Sequence, residues 1–202
     1  MIHMGSEHPA DRRVRIVAAA TRVFGEHGWF AARLEEIAQR TGVTKALLLR
    51  HWASKDDLFI EVLVRLTERL RGRLEEATRD ATTPVDRIER TARCLGYFLM
   101  DHPGAWQIMG PIRSDRAPAA RVVEQDSLHR TVREFGFRSP QWDSAVALTA
   151  EIGAIGLVAG AAHAANAEDE VDPEVAVTFS TWMVAGAAAV LQHLGAVPEG
   201  AS

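Results

Sequence analysis

From residue 12 onward, apolar side chains recur every three or four positions, the spacing of one helix face, and β-branched residues are scattered rather than alternating. An all-α chain is predicted. The first helix is read over about 11 to 27, with Ile16, Ala20, Val23 and Phe24 on one face and Gly28 ending it. A short second helix covers about 34 to 40 and stops at Gly42. A third follows Thr44, a good N-cap, and ends near Trp52. Ser54 caps a long helix to about Arg79, with Asp56 and Asp57 where the helix dipole favours acid, and Leu58, Phe59, Val62, Leu63, Leu66, Leu70 and Leu74 as its stripe. Thr83-Pro84 opens the next, to about Met100, and His102-Pro103-Gly104 breaks it before a short segment holding Trp106 and Met109. A helix over about 118 to 135 and two long ones over about 141 to 167 and 173 to 195 complete the series, the last pair parted by the acidic stretch 168–173.

Within this pattern, residues 34–53, LEEIAQRTGVTKALLLRHWA, have helix-turn-helix spacing: a small residue four before a glycine and an apolar residue six after it. Those residues are Ala38, Gly42 and Leu48. Two helices that cross steeply need a side chain no larger than a methyl at the contact, and the short turn needs positive φ. Ile37, Val43 and Leu48 then form the small core, while Lys45, Ala46, Leu49 and Arg50 lie on the outward face that enters the major groove. Trp52 is read as a core plug.

Composition and charge refine this picture. The 202 residues, 47% apolar and 25% charged, are enough for two modest domains, read as 1–57 and 58–202. Net charge is −4, but its distribution is uneven: residues 1–58 sum to +2 and the remainder to −6. An acidic body with a mildly basic head suits DNA contact confined to one end. No apolar run is read as long enough to span a bilayer, no signal peptide is found, and a cytoplasmic location is expected without membrane contact. One cysteine, Cys94, excludes an internal disulfide.

The segment VTKALLLRHWASKDDLF, extended backwards through FGEHGWFAARLEEIA, resembles the TetR family of transcriptional regulators over about residues 12–62. The resemblance implies a three-helix DNA-binding head joined by a long helix to a larger ligand-binding and dimerisation body. It also implies a long helix that transmits a ligand-driven shift, and a homodimer through the last two helices. The expected function is a ligand-responsive repressor that binds a palindromic double-stranded DNA operator and is released by a small organic effector. Three positions depart from the family pattern. Arg33 stands where a capping Ser or Thr is usual, Leu49 where a DNA-contacting tyrosine is common, and Leu47 where a small or hydroxyl residue is common. Lys45 and Arg50 are the expected guanine readers, with Leu49 and Ala46 beside them. Phosphate contacts are expected from Lys55, with His51, Thr44, Arg33 and the N-terminal Arg12 and Arg13 in support.

In the body, Tyr97, Phe98, Met100, Trp106, Met109 and Trp182 are expected to line a ligand cavity, with His102 and His129 as polar participants. Arg93, Glu151 and His163 are further candidates. His102, His129, His163 and Cys94 lack metal-ligand spacing, so neither a metal nor another cofactor is expected. No catalytic motif is found, and the chain is not expected to be an enzyme. The alternative is a helical small-molecule-binding or interaction protein whose DNA binding Leu47 and Leu49 have weakened.

Overall fold

The computed structural model describes residues 9–109, 131, 134–135, 145–167 and 172–193. Among these residues every regular element is helical: α1 (Pro9–Ala31), α2 (Leu34–Thr41), α3 (Lys45–His51), α4 (Lys55–Thr78), α5 (Pro84–Asp101), α6 (Ala105–Met109), α7 (Ala145–Ala167) and α8 (Pro173–His193). Most of the helix expected over 118–135 lies outside the described residues. So do 141–144 and 194–195.

Local chemistry sets the ends of these helices. Gly28 interrupts α1 at φ 70° and ψ 172°, a conformation that side chains resist, so the first helix proper ends one residue after His27. Thr44 Oγ1 accepts from the Leu47 N–H at 3.2 Å, Ser54 Oγ from Asp57 at 3.1 Å and Thr83 Oγ1 from Asp86 at 3.1 Å. Gly42 closes α2 in the left-handed region at φ 66°, and the following Val43 N–H donates to the Ala38 carbonyl at 3.0 Å. Arg33 precedes α2 without a side-chain cap.

The core runs through the chain as one apolar cluster. Ile16, Ala20, Val23 and Phe24 of α1 meet Ile37, Leu48, Leu58 and Phe59 in it, with the Phe24 and Phe59 rings edge to face at 5.0 Å. Further on, α5 packs on α4, α7 and α8, and α7 packs on α8. Gly96 lets α8 come close: a Cβ there would lie 3.0 Å from Val177 Cγ1. The buried hydroxyls of Thr41, Thr67, Thr78 and Thr91 donate to the carbonyl four residues back, which allows polar residues at core positions.

The expectation about apolar runs needs correction at α8. Over the 18 residues Pro173–Val190 mean hydropathy reaches 1.2, enough to cross a membrane by length and composition alone. Valine, alanine, phenylalanine and methionine raise the mean in a helix that is packed against α5 and α7. Its outer side remains apolar and exposed: Val175, Phe179, Trp182 and Met183 face away from the core.

Candidate nucleic-acid interface and effector cleft

Three contacts orient α3. Thr44 caps it, Leu48 is buried on its inner side at 1% exposure, and the Trp52 N–H closes it on the Leu48 carbonyl at 2.9 Å. Lys45, Ala46, Leu49 and Arg50 are consequently left exposed on one outward face, as the spacing of the motif predicts. Leu49 is 42% exposed and Leu47 is half-buried. Arg50 forms no hydrogen bond or ion pair among the described residues. Lys45 donates to Glu35 at 2.7 Å across α2, an exposed pair that a phosphate or base edge can displace at little cost. Its hydrogen bond is the main reason the Glu35 carboxyl sits below its ordinary pKa. Thr44 and Arg33 are exposed at the two helix starts, and the exposed His51 ring lies 5.7 Å from Trp52.

Lys55 is employed differently from the phosphate contact expected of it. Its Nζ donates to the carbonyls of Trp29 at 2.8 Å, Ala32 at 3.2 Å and Phe30 at 3.4 Å, and lies 4.3 Å from the Trp29 ring centroid. An ammonium has three donors, and these carbonyls take all of them. Burial lowers its pKa, with Asp56 acting the other way. Asp56 in turn accepts from Trp29 Nε1 at 2.9 Å. Lys55 thus ties the start of α4 to the chain that leaves α1. Arg13, also a candidate for phosphate, donates to Glu61 and lies 5.0 Å from the centroid of the Trp52 ring. Trp52 is buried and donates from Nε1 to Glu61 at 2.6 Å.

Glu26, His27 and Glu36 bring three possible metal-ligating atoms within 4.8 Å of one another. A cation already sits there: Arg40 donates to Glu26 at 2.9 Å and to Glu36 at 2.7 Å, and the first of these bonds holds Glu26 below its ordinary pKa. The cluster is an ion-pair network joining α1 to α2.

The candidate ligand residues differ in exposure, although Phe98, Met109, Met100 and Trp106 belong to or pack against the same apolar cluster. Phe98 and Met109 are fully buried, Met100 and Trp106 half-buried, and Tyr97 is partly exposed. Trp182 stands 75% exposed on the outer side of α8, where an internal cavity does not reach it. His129 and the side chain of Glu151 lie outside the described residues. His163 is exposed, Arg93 pairs with Glu89, and burial pushes the Cys94 thiol up to about 11. His102 stacks on Phe98 at 4.5 Å between ring centroids, so the structure joins these two.

Among the described residues, one internal space between α5, α7 and α8, bounded by Leu95, Val158 and Val184, measures about 10 Å³. A much larger cleft, about 580 Å³, opens between α1, α4 and the turn 101–105. His102 lines it with Arg22, Arg65 and Arg69. Of these only His102 was singled out in the sequence. Gly25 and Gly104, both in the cleft lining, touch backbone to backbone: a Cβ on Gly104 would lie 2.6 Å from the Gly25 Cα. Nothing in the sequence sets Gly25 and Gly104 apart from its other glycines, and only the fold brings them together.

Residues 16–62 match the model of the bacterial regulatory proteins of the tetR family. The HTH-type transcriptional activator FasR of Mycolicibacterium smegmatis is 34% identical over 96 residues, 47% of this chain and 44% of that protein. The HTH-type transcriptional regulator BetI of Rhizobium meliloti is 37% identical over 98 residues, 47% of this chain and 48% of that protein. The HTH-type transcriptional repressor KstR of M. smegmatis is 31% identical over 100 residues, 50% of this chain and 49% of that protein. The matches thus span about half the length of these relatives. At the level of fold, a TetR-like transcriptional regulator from Rhodococcus sp. RHA1 superposes with a TM-score of 0.68 at 20% identity, covering 91% of this chain and 98% of that one. FadR of Bacillus subtilis, solved in complex with stearoyl-CoA, superposes at 0.66 with 15% identity, covering 85% and 97%. With its helix-turn-helix formed by α2 and α3 and its match over residues 16–62, the N-terminal part of the chain carries the DNA-binding region of the tetR family of bacterial regulatory proteins, and the helical chain as a whole shares the fold of solved TetR-like regulators.

Proposed function

We propose that the chain is a ligand-responsive transcriptional repressor that grips a palindromic operator as a homodimer in the cytoplasm and is released by a small organic effector. The observation that carries this reading is the outward face of α3, where Lys45, Ala46, Leu49 and Arg50 are exposed together on a helix pinned by Thr44 and Leu48. Arg50 is the principal base reader and Lys45 its partner, while Leu49 packs against thymine methyls. Arg33, Thr44 and His51 set the register on phosphate. The apolar outer side of α8 supports pairing of two chains, and two heads are what a palindrome requires. Where the operator overlaps a promoter, a bound dimer blocks access to it, which is the physical basis of the repressor reading.

The test is binding of the full chain to fluorescent duplexes from the region upstream of its own gene across a salt series, beside Arg50→Ala and Lys45→Ala. Wild-type binding is expected to weaken steeply with salt. Arg50→Ala is expected to lose about tenfold or more on the preferred duplex and to discriminate less between duplexes. Equal, weak binding by all three proteins to every duplex would instead favour a ligand-binding protein whose leucine-bearing α3 no longer reads DNA.

A further inference from the structure

We infer that the cleft between α1, α4 and the turn 101–105 binds an amphipathic organic carboxylate, with its apolar body on the cleft floor and its carboxylate on the guanidiniums of Arg22 and Arg69. The inference rests on the ligand-responsive reading above and gives the effector a place and a chemistry.

Val17 and Ala18 of α1 and Val62 and Leu66 of α4 make the floor apolar, and about 580 Å³ is room for a small organic molecule. The rim is polar, and its charges do not cancel. Both carboxylates at the cleft are engaged by arginines from outside it: Glu26 by Arg40 and Asp101 by Arg73, the latter at 2.6 Å. Arg65 is itself engaged by Glu61 at 2.8 Å. Arg22 on the α1 wall forms no hydrogen bond or ion pair among the described residues. It lies near enough to Glu26 to be the last contributor to lowering that carboxyl's pKa. Arg69 on the α4 wall has one partner, His102 Nε2 at 3.3 Å.

That partner is a weak one and its chemistry is fixed. A guanidinium only donates, so Nε2 must accept, and the ring proton sits on Nδ1, which donates to the Phe98 carbonyl at 3.0 Å. Arg69 therefore points a five-donor fork at a single neutral acceptor. A carboxylate offers two oxygens in the matching plane and full negative charge, which is what two unmatched guanidiniums above an apolar floor select. An amine of the same shape meets like charge.

Each wall belongs to a different part of the molecule. α1 is a helix of the DNA-binding head, whereas the turn 101–105 belongs to the body, and a ligand touching both has different contacts whenever they shift relative to each other. The Gly25–Gly104 backbone contact joins the two walls, so opening of the cleft pivots there.

Calorimetric titration of the full chain with octanoate and with 4-phenylbutyrate, each beside the amine of the same skeleton, tests the site. Both carboxylates are expected to bind and both amines to fail. Arg22→Gln and Arg69→Gln are each expected to weaken carboxylate binding at least about tenfold, while Arg79→Gln leaves it unchanged. Absence of carboxylate binding, equal binding of the amines, or carboxylate binding indifferent to both rim variants would overturn the proposal. The same samples are scored for operator binding without ligand. If the chain takes carboxylates at this rim but binds no DNA, the repressor reading fails and the cleft stands. If DNA binds and carboxylates do not, the reverse holds.

Discussion

Glu61 gathers donors from the head and from its own helix: Arg13 Nε at 3.1 Å, Trp52 Nε1 at 2.6 Å and Arg65 at 2.8 Å. Burial by itself raises its pKa, but hydrogen bonds from Arg13 and Trp52, with the charges of Arg13 and Arg65, outweigh that and hold it below the ordinary 4.5. A carboxyl with a depressed folded-state pKa stabilises the fold above its unfolded pKa, and that contribution is lost as pH falls through the folded value. Glu61→Gln is therefore expected to cost about 1–3 kcal/mol at pH 7, with the gap to wild type narrowing as pH drops below 4.5 in urea unfolding. A gap that stays constant with pH would remove the carboxylate charge from the explanation. Lys55 invites a second residue-scale test. With its ammonium on three carbonyls, Lys55→Ala is expected to cost about 2 kcal/mol in stability, whereas Arg50→Ala leaves the melting temperature unchanged. Loss of DNA affinity in Lys55→Ala without loss of stability would return that residue to the phosphate backbone.

Helix ends were readable because their causes are local. The Thr44, Ser54 and Thr83 caps, the Gly28 break and the Gly42 turn all act within four residues, and each stands where the sequence places it. The outward face of α3 was readable for the same reason. What joins one element to another was not. Lys55 meets carbonyls 23 to 26 positions earlier, Arg13 meets Glu61 across 48, and the rim arginines look like ordinary solvated charges until α1 and α4 are packed together. Trp182 shows the same limit: as an aromatic at helical spacing it reads as a cavity wall, but the packing of α8 on α5 and α7 turns it outward. The crossing of α1 with the turn 101–105 is the sharpest such contact. Gly104→Ala drives a methyl into the Gly25 backbone at 2.6 Å, and neither side has a flexible chain to yield. Circular dichroism melts are expected to show a loss of about 1–3 kcal/mol. An unchanged melt would mean that the crossing loosens freely and is no pivot.

In the whole molecule, an exposed apolar strip lies on the outer side of α8, where Val175, Phe179, Trp182 and Met183 stand together. If this is where two chains meet, Phe179→Asp with Trp182→Asp is expected to convert the protein to a monomer in sedimentation velocity, at unchanged helix content. Operator affinity should fall with it, since one head then reads one half-site. A dimer that survives both substitutions would place the pairing surface elsewhere. The same strip has a consequence for how the protein behaves at different abundances. When pairing is the step that assembles a two-headed reader, the number of active readers grows with the square of chain number while chains are scarce, and only linearly once nearly all are paired. A cell that makes few copies then has a threshold below which the operator is essentially empty, and small changes in synthesis near that threshold switch the regulated promoter sharply without any effector at all.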